Sequence, residues 1–385
     1  MEQVIRHRVT LTLITLLLVG WSAAGESASF EVLETPGHAL EADFSLSRDG
    51  KSMGCLLDGS VYWWTQARGF QFMAEGPAGH RGVGMSADGS SLVSARKGEN
   101  GPLPAVWLRD GSAIDLGYLP GDCRLDHHGD GGFDINGNGS LAVGQTATCS
   151  SEVAFVWTPD RGIRKLPSID GADSRGTAVS AQGDVVAGYC EHPGESYPRP
   201  AIWKDGQGPE LIMGDEASGE AYNVSPNGRY VVGQAILGGL NSQAFVWRDD
   251  AEPVVLGNLS GRATDSSLAR VASDDGTVVG WSGDEMWGDQ EAFIWTRKTG
   301  MTSLADFLTG HDCDLPEGMV LTAALDISGD GSTIVGTCRD RNWKPGFWIA
   351  RIGDAASATV VQGNPWEPRP MDHVLPDTMA VHPAD

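Results

Sequence analysis

Basic residues are scarce in this sequence, which has 27 Lys and Arg against 51 Asp and Glu and a formal net charge of −24 at pH 7. A chain this acidic is repelled by nucleic acid and by anionic membrane surfaces, so we exclude both as partners. The motifs GxSxG, HExxH and the P-loop are also missing, so no catalytic residue is indicated. Only six Cys are present and none forms a CxxC pair, which disfavours a structural zinc site.

Long apolar runs are missing after residue 24, and the run before that point is short. The basic segment 6–8 precedes about 13 apolar residues (9–21), and small residues follow at 22–24. A membrane-spanning helix needs about 20 apolar residues, so the pattern predicts a signal peptide over residues 1–24, with an uncleaved anchor as the alternative. We therefore expect a secreted or periplasmic protein, in which disulfides can form.

Glycine is abundant, with 52 residues, and many of its copies belong to a repeat. One signature is an apolar segment that closes on Trp64, Trp107, Trp157, Trp203, Trp247, Trp295 and Trp348. The other is a polar turn, often Ser-x-Asp-Gly, centred on Asp49-Gly50, Asp88-Gly89, Asn138-Gly139, Gln182-Gly183, Asn227-Gly228, Asp275-Gly276 and Asp330-Gly331. An apolar run follows each turn; six runs end in Gly, and Ser94 takes that place in the second. Seven alternating copies indicate a repeat protein.

Each repeat has about 45 residues and four strand-like segments. In the fifth repeat, residues 221–225 and 229–234 flank Asn227-Gly228, a pair that favours the positive φ of a hairpin turn. The tryptophan segments are apolar on both faces, as expected for a sheet packed between two others. The sequence thus predicts an all-β fold, a seven-bladed β-propeller of four-stranded antiparallel blades over residues 25–353. An open solenoid or a two-sheet sandwich fits seven equal repeats less well.

The two ends of the repeat region complement each other. The last repeat lacks a fourth strand after Trp348, whereas residues 29–33 form an additional strand-like segment before the first repeat. We predict that this N-terminal strand completes the seventh blade and closes the ring. Residues 354–385 are rich in Pro and lack the repeat, which predicts a disordered tail.

The two signatures resemble the repeat of the HAF extracellular repeat family, in which an AFxW segment is followed by Leu-Gly, a Gly turn and Val-Val-Gly. The closest copies are residues 154–188 and 244–280, and the resemblance covers about residues 30–350. The second repeat departs from it at Ser94, and the first and seventh are degenerate. The resemblance implies an extracellular repeat protein, and it carries over no catalytic residue.

Propeller geometry places the loops between strands two and three on the same face as the blade-to-blade connections. We call this the variable face, because these segments differ most between repeats. Three of the loops carry an aromatic residue beside charged ones, which suits stacking on sugar rings and hydrogen bonds to hydroxyls. The candidate ligand-binding residues are Tyr197, Arg199, Asp284, Glu285, Trp287, Arg341 and Trp343. The alternative is that the aromatics only pack the loops against the blades.

Four Cys lie at equivalent places of the third and seventh repeats, in the loops of the variable face. Their separations are 26 and 25 residues, and the predicted disulfides are Cys123–Cys149 and Cys313–Cys338. Cys55 and Cys190 fall in second strands and are expected to be buried free thiols.

Two polar segments are candidates for a cation. Asp126, His127, His128 and Asp130 share one loop, although a solvated polar loop explains them as well. Residues 134–139 imitate the start of a calcium loop, but Gln145 stands where such a loop has Glu, so the hairpin turn explains them better. We predict no cofactor, with calcium as the weaker alternative.

Four polar residues of the first strands have two possible roles. Each precedes an apolar strand residue, and they are Asp134, Asn223, Arg270 and Asp326. They either line the central channel or bond to neighbouring strands.

These patterns favour a monomeric binding or scaffold module for an extracellular glycan or protein. The alternative is a propeller-type polysaccharide lyase or glycosidase, because such enzymes assemble their sites from scattered residues.

Overall fold

The chain forms a ring of seven four-stranded antiparallel sheets, which confirms the seven-bladed β-propeller. The computed structural model describes residues 28–39, 41–76, 82–98, 101–119, 131–148, 151–238, 241–249, 251–284 and 289–352. Each sheet is one blade. Strand one lies innermost, because the first strands of neighbouring blades contact one another around the ring.

The strands follow the repeats in order. Blade one has β2 (Ala42–Leu46), β3 (Ser52–Leu57), β4 (Ser60–Thr65) and β5 (Gly69–Glu75), and blade two has β6 (Gly84–Met85), β7 (Ser91–Gly98), β8 (Gly101–Leu108) and β9 (Ala113–Asp115). Blade three has β10 (Gly131–Ile135), β11 (Ala142–Ala147), β12 (Glu152–Thr158) and β13 (Gly162–Lys165), and blade four has β14 (Ser174–Val179), β15 (Val185–Cys190), β16 (Arg199–Lys204) and β17 (Gln207–Leu211). Blade five has β18 (Ser218–Val224), β19 (Tyr230–Ile236), β20 (Gln243–Arg248) and β21 (Ala251–Gly257), and blade six has β22 (Ser266–Ala272), β23 (Val278–Gly283), β24 (Glu291–Thr296) and β25 (Gly300–Ser303). Blade seven has β26 (Val320–Ile327), β27 (Thr333–Arg339), β28 (Pro345–Arg351) and, outermost, β1 (Ser29–Leu33).

Helical structure is minor in the described chain. It consists of α1 (Leu304–Thr309) and two 3₁₀ turns, Pro36–His38 and Ile169–Gly171. Within these residues no helix has the length and hydropathy needed to cross a membrane. The signal peptide and the tail predicted at the two ends lie outside the described residues.

The N-terminal strand closes the ring as predicted. β1 pairs antiparallel with β28, with Phe30 opposite Ala350 and Val32 opposite Trp348. The Phe30 ring also stacks on Trp348, with centroids 5.7 Å apart. The last blade is therefore built from both ends of the repeat region.

The Ser-x-Asp-Gly turns are stabilised by their own side chains. In the first copy, the Ser47 hydroxyl donates to Asp49 Oδ1 at 2.8 Å and accepts from the Ser52 backbone N–H at 3.0 Å. Gly50 takes a φ of 65°, where a side chain would be strained. Ser-x-Asp-Gly occurs in four blades, and in blades three, four and five the side chains of Asn136, Ser180 and Ser225 accept the equivalent backbone N–H bond.

Neighbouring turns also bond to each other, and together they form a closed circle that we call the turn belt. Five blades are joined to the next by a backbone N–H and a carbonyl: Asp88 to Gly137, Gly137 to Ala181, Ala181 to Pro226, Asp274 to Gly329, and Arg48 to Ala87. Asp330 donates to the Arg48 carbonyl across the closure between blades seven and one, at 3.2 Å. Between blades five and six, the Asn227 N–H donates to Asp274 Oδ1 at 2.8 Å. The turn belt ties all seven blades at one face.

The glycine that ends the second-strand run has a packing role. In blade five, a Cβ on Gly233 would collide with the Glu220 carbonyl oxygen and lie 2.9 Å from the Phe245 ring. This carbonyl approaches closely at a β-bulge, because the pairing register shifts between Ala221 and Asn223. Glycine therefore permits the bulge in strand one.

Neighbouring blades interlock through their second and third strands. Ala244 and Val246 of blade five share one buried cluster with Phe293 and Trp295 of blade six. Trp203, fully buried in blade four, donates its indole N–H to the Pro167 carbonyl at 2.7 Å. The tryptophan signature therefore supplies large apolar surfaces whose single polar group is satisfied.

We expect removal of residues 28–33 to unfold the ring in one cooperative step, because β28 and Trp348 would lose their partners. Phe30→Ala should lower the free energy of unfolding by about 2 kcal/mol. Glu31→Ala, on the exposed side of the same strand, should change it by less than about 0.5 kcal/mol. Chemical denaturation followed by tryptophan fluorescence measures all three. A deletion that loosens only blade seven would contradict ring closure.

Candidate functional site

A cavity of about 500 Å³ occupies the central channel. Its wall is made mainly by first-strand residues. The second strands add Gln234 and Trp281, the segment before β6 adds Gly82 and Val83, and the loop between β23 and β24 adds Gln290. Because Gln290 belongs to a loop between strands two and three, the cavity lies at the variable face.

The opposite end of the channel is filled by the turn belt. Arg48 reaches from blade one to Asp274 of blade six, with Nη2 and Oδ2 2.7 Å apart. A Cβ on Gly329 would lie 2.7 Å from Arg48 Cγ and 2.9 Å from Pro226 Cγ, so these turns are in close contact. The space left here is about 60 Å³. Access to the larger cavity is therefore from the variable face.

The bulges of the first strands supply much of the cavity wall. Beside the glycine of strand two, the pairing in each of blades three to seven skips one residue of strand one. These skipped residues all line the cavity, and they are Phe133, Thr177, Tyr222, Arg270 and Leu325. Without the bulge, the two-residue period of a strand would point this side chain toward a neighbouring blade. The bulge directs it toward the channel instead.

The four polar residues predicted for this region differ in register. Arg270 occupies a bulge, whereas Asp134, Asn223 and Asp326 lie at the next position of their strands. Asp134 Oδ2 accepts the Val179 N–H at 2.8 Å, and Asp326 Oδ2 accepts the Leu46 N–H at 2.6 Å.

Both proposed roles are therefore present. The two aspartates join neighbouring blades, and Asn223, Arg270 and Asp326 line the cavity.

Arg175 is held in a fixed position at the cavity wall. Its Nε donates to Gln145 Oε1 at 2.6 Å, and its Nη1 lies 3.4 Å from Glu220 Oε1. The guanidinium carbon lies 5.1 Å from the centre of the Tyr189 ring, within cation–π distance. These contacts come from blades three, four and five, so neighbouring blades together hold the Arg175 guanidinium in position.

A second ion pair joins blades six and one, which are separated by blade seven. Arg270 Nη2 of blade six lies 2.7 Å from Asp43 Oδ1 of blade one. The side chains are 28% and 26% exposed, so the pair is partly open to the cavity. The two arginines are thus each matched by a carboxylate, and the cavity presents donors and acceptors in near balance.

Burial raises the pKa of two first-strand carboxyl groups. That of Asp326 rises to about 8 against the opposing hydrogen bonds from the Leu46 and Ile327 N–H groups. That of Asp134 rises to about 7 for the same reason. Burial also raises the pKa of Glu220, and the charge of Arg175 opposes the increase.

Asn223 carries an unsatisfied acceptor on the channel wall. Its Oδ1 is buried and has no hydrogen-bond partner among the described residues. Such an atom costs free energy unless a water or a ligand donates to it. Asn223 borders both the cavity and the smaller space at the closed end, and the adjacent Tyr222 hydroxyl accepts from the Gln234 amide at 3.2 Å.

The predicted loop residues do not form one pocket. Among those described, Tyr197, Arg199, Asp284, Arg341 and Trp343 all lie away from the wall of the central cavity. Asp284 borders a separate groove of about 400 Å³. Glu285 and Trp287 lie outside the described residues.

Two of the loop aromatics extend into solvent. Tyr197 is 64% exposed and Trp343 is 65% exposed, so most of the surface of each residue faces solvent. Arg199 donates to Glu195 Oε2 of its own loop at 2.6 Å and to the Asp215 carbonyl of the connection to blade five at 2.8 Å.

Arg175, Glu220, Gln234, Asp43 and Tyr222 were not predicted from the sequence. The available signal for Arg175, Glu220 and Tyr222 was the polar content of strand one in blades four and five.

The cysteines are partly described. Cys55 and Cys190 are buried free thiols, as expected. Cys313 and Cys338 are not joined by a disulfide in the structure, and they share one hydrophobic cluster. Cys338 lies inside β27 rather than in the loop that we predicted for it.

The other metal and disulfide candidates add little to the site. Cys123, Cys149, Asp126, His127, His128 and Asp130 lie outside the described residues. In the calcium-like turn, Asn136 Oδ1 accepts from Leu141 N and Asn138 Oδ1 from Ser140 N, so both amides serve the turn. In the described part of the chain, no group of three or more His, Cys, Asp or Glu is placed to hold a metal ion.

Comparison with known proteins supports the fold alone. No family model and no curated protein matches the chain. An oligogalacturonate lyase in complex with manganese is 15% identical, with a TM-score of 0.53 over 86% of this chain and 99% of that one. The β-propeller domain of the Trilobed protease from Pyrococcus furiosus is 10% identical, with a TM-score of 0.52 over 85% and 94%. TolB from Acinetobacter baumannii is 16% identical, with a TM-score of 0.42, and the match spans 55% of this chain and about half (53%) of TolB.

The raised pKa values predict that stability falls as the pH rises from about 4 to about 8. The ordinary Asp value is 3.8 and that of Asp326 is about 8, so between them the folded protein keeps a proton that the unfolded chain releases. The stabilisation is complete below the unfolded value and is lost as the pH rises through the folded one, by up to about 1.4 kcal/mol per pH unit for one proton.

Denaturation midpoints measured between pH 4 and 8 test this dependence. Asp326→Asn cannot ionise and should flatten the curve, whereas Asp330→Asn in the exposed turn should keep the wild-type slope. Equal slopes for the wild type and Asp326→Asn would show that this carboxyl does not govern the pH dependence.

The disulfides remain predictions, and peptide mass spectrometry decides them. Burial raises the pKa of the Cys338 thiol to about 11. Because the thiolate is the reactive form, this slows the oxidation of Cys338. We nevertheless expect a Cys313–Cys338 linkage after export, because both lie in one cluster. Alkylation of denatured, non-reduced protein should label Cys55 and Cys190 only. Labelling of Cys313 and Cys338 would rule the linkage out.

Proposed function

We propose that the protein is an exported glycan-binding propeller that holds a sugar residue in the cavity of the central channel. The observation that carries this proposal is the cavity of about 500 Å³, open at the variable face and closed beneath by the turn belt. A volume of this size suits a small ligand rather than the surface of a folded protein.

The chemistry of the wall favours a hydroxylated ligand. Sugar hydroxyls both donate and accept hydrogen bonds, and the wall offers amide and guanidinium donors beside carboxylate acceptors. Phe133, Tyr222 and Trp281 add aromatic surface, on which the C–H faces of a sugar ring pack well. The paired arginines leave no strong excess of either charge, so a neutral sugar fits better than an ionic ligand.

Export is part of this proposal, and it is supported by the N-terminal segment. A basic start, a short apolar run and small residues at 22–24 are the features of a cleaved signal peptide. Membership of the HAF repeat family is likewise a proposal, supported by the two repeat signatures.

A matched pair of ion-pair variants tests the site. Arg270→Met breaks a pair between blades six and one at the cavity, and Arg48→Met breaks a pair between the same blades at the closed end; both pairs are 2.7 Å long. The mature protein is applied to an array of oligosaccharides, and the strongest binders are titrated by calorimetry. We expect Arg270→Met to weaken binding about tenfold or more, since a lost polar contact in a cavity is costly, and Arg48→Met to bind as the wild type does.

The outcomes separate the possibilities. Equal affinity of the two variants would place the ligand outside the cavity, and no retained glycan would overturn the function. Release of shorter or unsaturated products from a bound glycan would instead establish the alternative, a propeller-type lyase or glycosidase.

A further inference from the structure

Trp343 has an unusual backbone conformation in the loop between β27 and β28. Its φ is 62°, a left-handed value that is strained for a bulky side chain. Asp340 maintains this conformation, because its Oδ1 accepts from the N–H of Asn342 at 2.7 Å and of Lys344 at 3.0 Å. The Trp343 N–H itself donates to the Asp340 carbonyl at 3.0 Å. The loop thus holds a tryptophan where glycine would be easier to accommodate.

The Trp343 side chain is exposed yet fixed in place. It is 65% exposed, and the guanidinium carbon of Arg339 lies 4.2 Å from the centre of its ring. Arg339 is itself 18% exposed and belongs to β27, so it supports the ring from the blade. An aromatic ring that is rigid and solvent-facing loses little entropy when a ligand stacks on it.

A short chain of contacts joins this ring to the cavity. Arg339 Nη2 lies 3.9 Å from Asp289 Oδ1 in the neighbouring loop of blade six. The next residue, Gln290, lines the cavity. Trp343, Arg339, Asp289 and Gln290 therefore form a continuous path from the exposed ring to the channel opening.

We propose that Trp343 is an outer subsite that stacks on a sugar ring of a glycan whose end lies in the central cavity. This inference rests on the proposed function and narrows its ligand to a chain of several sugar residues. The inner residue of the chain contacts the cavity wall, the next ones pass Gln290 and Asp289, and an outer one packs on the indole. Asp289 and Arg339 supply an acceptor and a donor along this path.

Dependence of affinity on chain length tests the inference. The glycan type that binds best on the array is prepared as oligomers of one to six residues and titrated by calorimetry. For the wild type, affinity should rise by about three- to tenfold once the chain is long enough to reach Trp343. Trp343→Gly should lose this gain and bind short oligomers unchanged, and Trp343→Phe should retain most of it.

Two controls keep the result interpretable. Tyr197→Ala removes an aromatic of equal exposure from another loop of the variable face and should preserve the gain with chain length. Trp343→Gly should have a thermal midpoint at least equal to that of the wild type, because glycine adopts a φ of 62° without strain.

Failure of the inference is distinct from failure of the proposed function. One outcome is that Trp343→Gly gains affinity with chain length as the wild type does, while Arg270→Met binds every oligomer more weakly. That result would contradict the outer subsite and support the binding site in the cavity. If no oligomer of any length binds the wild type, both proposals fall.

Discussion

The close fit of a glycine in strand two against a bulged strand one is the contact on which the cavity depends. Because Gly233 has no Cβ, the carbonyl of Glu220 can lie close to it. Strand one then contains one extra residue that does not pair with strand two. The same arrangement, with a register shift beside a glycine, occurs in blades three, four, six and seven. The bulge directs a side chain to the channel in each case. The glycine, whose position leaves no room for a Cβ, therefore determines which strand-one residue lines the channel.

The two faces of the ring have different roles because their segments have different constraints. At one face, each turn is fixed by its own Ser, Asp or Asn side chains and is bonded to the next turn, so the turn belt closes the channel. At the other face, the described loops vary in length and side chains, and individual contacts join them, such as the bond from Arg199 to the Asp215 carbonyl. The closed face provides rigidity, and the open face carries the cavity and the exposed aromatics.

Electrostatics and burial reinforce this division. The strongly acidic surface keeps the protein in solution, while the channel pairs its two arginines with carboxylates. The buried Asp134 and Asp326 join neighbouring blades through backbone N–H groups, and they do so in a medium that favours the neutral carboxyl. A pH-dependent contribution to stability is thus built into the contacts between blades three and four and between seven and one.

The sequence alone determined the number of blades, the four strands in each, the turns and the closure by residues 29–33, because hydrophobic period and turn chemistry are local properties of the chain. It also located Tyr197 and Trp343 correctly on exposed loops. Only the tertiary structure placed Arg270 beside Asp43, which is 227 residues away, and Arg175 beside Glu220. A one-residue bulge changes which face a side chain occupies without altering the apolar pattern, and contacts across the channel exist only once the ring has closed.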